Sequence, residues 1–156
     1  MVRPRTYKTE AVVLKQTPLG EADRILTFYT HDMGKLRAIA KGVRRTKSRL
    51  RGHLELLNNV SLSLSFGRNL DVVNEAQVIY SFSGIRQHLS RLSKAIYIAE
   101  LVDSFTVEQS SSYAVYQLVL DTLSHLDKED KTNLLLSHFE MHFLTHSGYR
   151  PELYSC

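Results

Sequence analysis

Eight cations crowd into the stretch from Gly34 to Gly52: Lys35, Arg37, Lys41, Arg44, Arg45, Lys47, Arg49 and Arg51. They are eight of the chain's twenty Lys and Arg residues, and no acidic residue lies among them. Charges at this density repel one another unless water or a polyanion screens them, and a nucleic-acid backbone is the natural polyanion. Each phosphate that such a cation neutralises releases condensed counterions. Contact with about five phosphates of a single strand sets a log–log salt slope of about −3.5. The competing reading is a solvated loop kept basic for solubility.

Bases need flat partners as well as charge. Phe28 and Tyr29 are candidate base-stacking residues, with Phe66 and Tyr7 as further candidates. An exposed ring contributes about 1–3 kcal/mol per stacked base. Because Phe28 and Tyr29 are adjacent, a strand through them turns one toward the core.

Other constellations carry less. His138, His142 and His146 recur at i, i+4 and i+8. Glu140 does not directly follow His138, so the zincin pattern is absent. The outer pair is about 12 Å apart along a helix axis, too far to share one ion. These histidines read as partly buried polar residues. Gly34, Gly42 and Gly52 lack the spacing of a phosphate-cradling loop. Glu21 with Asp23, and the acidic run 127–130, meet no second carboxylate pair. Cys156, the single cysteine, has no His or Asp context for nucleophilic catalysis and would be a lone ligand of an incomplete metal site. The residues make no case for an enzyme, and no cofactor is expected in this chain.

The elements that position the cations follow from periodicity. Residues 8–16, 23–30, 35–41, 59–66 and 70–80 read as strands. The alternation of Ser with apolar residues over 59–66 is the cleanest period-two signal. Turns fall at Pro18 to Gly20, His31 to Gly34 and Gly67 to Asn69. In the third strand Lys35, Arg37, Ile39 and Lys41 share one face, and Leu36, Ala38 and Ala40 share the other. Arg44 to Arg51 then continue as a mobile basic connection. After a junction at 81–84 the period changes to that of helices. Residues 90–106 put Leu92, Ile96, Ala99, Val102 and Phe105 on one stripe. Residues 112–126 do the same for Val115, Leu118, Val119, Leu123 and Leu126, with Ser111 or Ser112 as cap. Residues 131–147 turn Leu134, Leu135, Phe139 and Met141 or His142 inward, and Gly148 and Pro151 supply the stop.

The expected fold class is β + α: a five-stranded β-barrel of the oligonucleotide-binding (OB) type over residues 1–80, then a small helical domain over 81–156. OB barrels bind ligands on strands two and three with their flanking loops, which is where the basic face falls. Charge divides at the same point. Residues 1–80 hold fourteen basic and seven acidic side chains, net +7, and residues 81–156 hold six and nine, net −3. Hydrophobic content of 43% suffices for a core. One cysteine fits a reducing, cytoplasmic setting. The N-terminus has no apolar h-region of a signal peptide, and no apolar stretch approaches a membrane span.

Several segments resemble bacterial RecO, a family of DNA repair and recombination mediators. They are Tyr7-Lys-Thr-Glu-Ala-Val-Val-Leu, Gly20-Glu-Ala-Asp-Arg-Ile-Leu-Thr, Gly34-Lys-Leu-Arg-Ala-Ile-Ala-Lys-Gly-Val-Arg-Arg, Gly67-Arg-Asn-Leu-Asp, Ser137-His-Phe-Glu and Gly148-Tyr-Arg-Pro-Glu-Leu. The resemblance covers essentially the whole chain. It implies an OB barrel with a helical domain that binds single- and double-stranded DNA and anneals complementary strands. It also implies work with RecR, loading of RecA onto DNA coated by single-stranded DNA-binding protein, and a place at the nucleoid. In zinc-bearing members the Tyr-Arg-Pro-Glu-Leu segment leads into the first metal-binding cysteine, which Cys156 matches. The resemblance implies zinc only if the protein continues past Cys156, and the chain is then a fragment; otherwise it is a shortened member. Two other readings stand beside it: a protein-interaction adaptor whose helical domain docks a partner, and an RNA-binding OB protein.

Overall fold

Strands fill the first half because their alternation gives each a face to bury. A computed structural model describes residues 5–108, 110–129 and 131–147. The strands are β1 (Thr6–Leu19), β2 (Asp23–Thr30), β3 (Gly34–Ala40), β4 (Asn59–Ser65) and β5 (Asp71–Tyr80). They close into a barrel in the order β1-β2-β3-β5-β4, the OB architecture. In β4, Val60, Leu62 and Leu64 point into the barrel and Ser61, Ser63 and Ser65 point away, as the alternation requires. β1 is longer than expected, because it serves two neighbours. Residues 6–12 pair with β4 and residues 11–19 with β2. A register shift between Val13 and Lys15 bends it between those tasks. The seam is short and parallel: Ala38 faces Asp71 and Ile39 faces Val72.

The barrel interior holds Ala11, Val13, Leu26, Phe28, Ala38, Ala40 and the inward residues of β4. The opposite faces of β1 and β2 are also dry. Val12, Leu14 and Tyr29 pack in a second core with four helices, α1 (Ser83–Arg86), α2 (Leu89–Phe105), α3 (Tyr113–Lys128) and α4 (Leu135–His146). Asn59 stitches the two cores. Its amide donates to the Ala11 carbonyl at 3.1 Å and to the Tyr116 hydroxyl at 2.9 Å, all buried.

α3 buries the five expected residues, and the Ser112 hydroxyl accepts from the Val115 amide at 3.2 Å. α2 is rotated from its expected stripe. Ala95, Ile98, Ala99 and Val102 are buried together with Arg91, whereas Phe105 is 49% exposed. Arg91 donates to the Asp127 carbonyl near the end of α3, where the helix dipole favours a cation. α4 buries Phe139 and Phe143, while Leu134, Met141 and His142 face solvent, contrary to the sequence expectation. The junction forms the one-turn α1, which periodicity does not reveal. Gly148, Pro151 and Cys156 lie outside the described residues.

The α2–α3 linker lies on the start of β3. Because β5 pairs only with Ala38 and Ile39, the edge at Lys35 is open, and Glu108 bridges to it in parallel. Gly34 sits beneath this linker at φ +70°, and a Cβ there would fall 2.2 Å from the Ser110 carbonyl oxygen. Gly34→Ala is expected to destabilise the chain by more than about 2 kcal/mol, from left-handed strain plus the clash. Urea unfolding measures this; an unchanged midpoint would show that the linker is not seated there.

Candidate nucleic-acid interface

The connection between β3 and β4, residues 41–58, carries six of the eight cations of the basic run. It is a built plug rather than the mobile tether expected. Val43 and Leu54, each 1% exposed, join the barrel core, and Leu50 packs against it. Leu57 is buried in the helical core at φ 73°, a left-handed geometry costing about 1–2 kcal/mol. Burial of its side chain and a hydrogen bond from its amide to the Val13 carbonyl (2.9 Å) offset that strain. The Gly42 amide donates to Asp23 Oδ1 at 2.7 Å, and the Arg44 amide donates to the Ala22 carbonyl at 2.9 Å. Apolar residues turned in and cations turned out are the residue-level reason this loop presents charge.

Lys41, Arg44, Arg45, Lys47, Arg49 and Arg51 are all exposed. The Arg44 side chain donates to the Gly20 carbonyl at 2.9 Å and so is fixed over the β1–β2 turn. Among the described residues, none of the six has a carboxylate within ion-pair distance. Beside the plug, a shallow cleft of about 500 Å³ opens on the outer face of the β4–β5 pair. Lys8, Arg49, His53, Ser61, Ser63 and the carboxylate-bearing Glu75 are among its lining, so the cleft mixes cations and hydroxyls with one acid.

The ordered face of β3 behaves differently. Lys35 Nζ donates to the Asp103 carbonyl at 2.7 Å and lies 3.5 Å from its carboxylate, with the lysine side chain only 14% exposed. Arg37 Nε lies 3.8 Å from Glu108 Oε1, both half exposed. Such an exposed pair contributes about 0–1 kcal/mol and opens readily. Acids from the helical half therefore meet the first two cations of the run. The excess of acid after residue 81 is the only sequence signal for Asp103 and Glu108.

Both rings expected to stack on bases are buried, Phe28 at 0% and Tyr29 at 1%. The reason is the double-sided burial of β2. Phe28 fills the barrel and Tyr29 the helical core, so neither presents a face to a base. Burial pushes the Tyr29 phenol up. Of the two further candidates, Phe66 is 61% exposed and packs against Tyr7, with ring centroids 4.7 Å apart and the rings tilted by 35°. Burial, then the hydrogen bond to Asp71, raises the Tyr7 phenol well above the usual tyrosine value and keeps it a donor. His138, His142 and His146 are exposed rather than partly buried, with the first two rings 4.1 Å apart. No helix among the described residues is long and apolar enough to cross a membrane.

The family model described as "Recombination protein O N terminal" matches residues 2–82, and that described as "Recombination protein O C terminal" matches residues 86–156. The chain is 44% identical over 156 residues to a protein of Dehalococcoides mccartyi named DNA repair protein RecO, covering 100% of this chain and 62% of the relative. It is 41% identical over 153 residues to one of that name from Bifidobacterium adolescentis, covering 96% and 62%. A third, from Roseiflexus sp., is 39% identical over 155 residues, covering 99% and 54%. The chain thus spans less than two thirds of these relatives' length.

The geometry separates a structural cation from a free one. Lys35→Ala is expected to lower stability by about 1.5–3 kcal/mol, since it removes a charged hydrogen bond and strands the Asp103 groups. Arg49→Ala should stay within about 0.5 kcal/mol of the parent. Urea midpoints of the two variants test this; equal effects would refute it.

Proposed function

Because the chain belongs to the recombination protein O family, we propose that it acts in DNA repair as a non-catalytic mediator that binds single- and double-stranded DNA. The observation that carries the reading is the ordered plug at 41–58, whose six exposed cations have no acidic partner among the described residues. Fixed cations that hold two phosphate chains lower the repulsion between them, and annealing of complementary strands follows from that physics. RecR, RecA and single-stranded DNA-binding protein are the partners this reading assigns to the whole protein, in the cytoplasm at the nucleoid. The work needs no bond to be made or broken. We keep the division at residues 80 and 81 as part of the proposal, with the barrel as DNA module and the helices as partner module.

Within the basic run the reading shifts weight. Lys41, Arg45, Lys47, Arg49 and Arg51 contact phosphate first. Arg44 sets the edge over the turn. Arg37 joins when its pair with Glu108 opens, and Lys35 serves mainly to seat the helices. A second reading, the adaptor, draws support from apolar side chains exposed on the helical half, among them Leu89 at 81% and Leu134 at 83%.

A triple variant separates them. Arg45→Ala with Lys47→Ala and Arg49→Ala should weaken binding to a single-stranded oligonucleotide about tenfold or more at low salt. The log–log salt slope should become shallower by about 2, at about 0.7 for each phosphate that is no longer neutralised. Fluorescence anisotropy across a salt series reads both quantities. Unchanged affinity and slope would favour the adaptor. Preference for a matched RNA oligonucleotide in competition would count against a role in DNA repair.

A further inference from the structure

We propose that Phe66 is the base-stacking residue of this chain and gives it a preference for single strands, an inference that rests on the DNA-binding reading above. The ring follows β4 directly, is 61% exposed and lies against Tyr7 at 4.7 Å. At that exposure most of the residue meets solvent.

Single exposed apolar residues are common and need no explanation. This one is distinguished by how firmly it is held. The Tyr7 hydroxyl donates to Asp71 Oδ2, and Asp71 Oδ1 accepts from the Gly67 amide at 3.0 Å. The Phe66 amide donates to the Arg5 carbonyl at 3.2 Å. A Cβ on Gly67 would fall 1.9 Å from the Leu70 carbonyl oxygen, so the turn after Phe66 is closed tightly on itself. A ring presented from such a loop gives up little freedom when it stacks.

The surroundings name the occupant. Arg5 and Arg68 are exposed close by in sequence. The acid nearest in the turn, Asp71, is engaged by Tyr7 and Gly67. Asp71 also pairs with Ala38 of β3, so the ring lies near the strand that carries Arg37 and leads into the basic plug. Exposed cations beside an exposed aromatic ring suit a polyanion with exposed bases. Single-stranded DNA has them, whereas a duplex hides its base faces in the stack.

The test is Phe66→Ala in the full chain, with Phe66→Tyr as the conservative variant. Probes are an oligo-dT, the same backbone with abasic sites, and a duplex, each titrated by anisotropy. Phe66→Ala should weaken oligo-dT binding about tenfold. The salt slope, duplex affinity and abasic-strand affinity should stay at parental values. Phe66→Tyr should restore oligo-dT binding. Thermal melting checks that the exposed substitution leaves the fold intact. Parental affinity of Phe66→Ala for oligo-dT, or an equal loss on all three probes, would overturn the assignment. Failure of the unmutated chain to bind any probe would instead overturn the DNA-binding reading itself.

Discussion

The molecule depends on a pair of strands that is dry on both sides. β1 and β2 line the barrel with Ala11, Val13, Leu26 and Phe28 and at the same time floor the helical core with Val12, Leu14 and Tyr29. Burying both faces removes apolar area from water twice with one piece of backbone, at about 25 cal/mol for each Å². It also fixes where the helices sit. They cover the β1–β2 side and the Leu57 end of the plug, the α2–α3 linker covers the open edge of β3, and the cations of the plug, the β4–β5 face and the turn at Phe66 are left to solvent.

That arrangement explains which parts are readable from the sequence. β4 has one dry and one wet face, so its Ser and apolar residues alternate visibly, and α3 shows a clear stripe for the same reason. β2 has no wet face over 26–30, and its alternation vanishes. With a single core, one of Phe28 and Tyr29 would have to face solvent; the second core takes that ring instead. α2 packs against the barrel as well as against other helices, so its apolar residues spread around the helix and obscure the true inward line, with Arg91. The exposed residues of α4 look inward-facing in the sequence because a lone helix shows which residues are apolar, not which neighbours exist to cover them.

The candidate site divides in the same way. A run of like charge is visible without any tertiary knowledge, because nothing nearby in sequence neutralises it. Which charges stay free depends on residues far along the chain. Asp103 stands 68 positions from Lys35, and no spacing rule connects them. The helical half thus does more than pack: its acids remove the start of β3 from the cationic surface and confine free charge to the plug and turns. Phe66 is a candidate ring from its position at the end of an alternating strand, but only exposure separates it from Phe28.

The plug has a thermodynamic corollary. Val43, Leu54 and Leu57 order the cations when the chain folds, so little backbone freedom is left to lose when a polyanion arrives. A disordered basic tail of equal charge would have to surrender that freedom on contact, which offsets part of its electrostatic gain. On the proposed DNA-binding reading the balance would tilt toward ions leaving the phosphates rather than protein becoming ordered, and the surface would act as a rigid ion exchanger. Its three apolar anchors would then be as much a part of binding as the charges they hold in place.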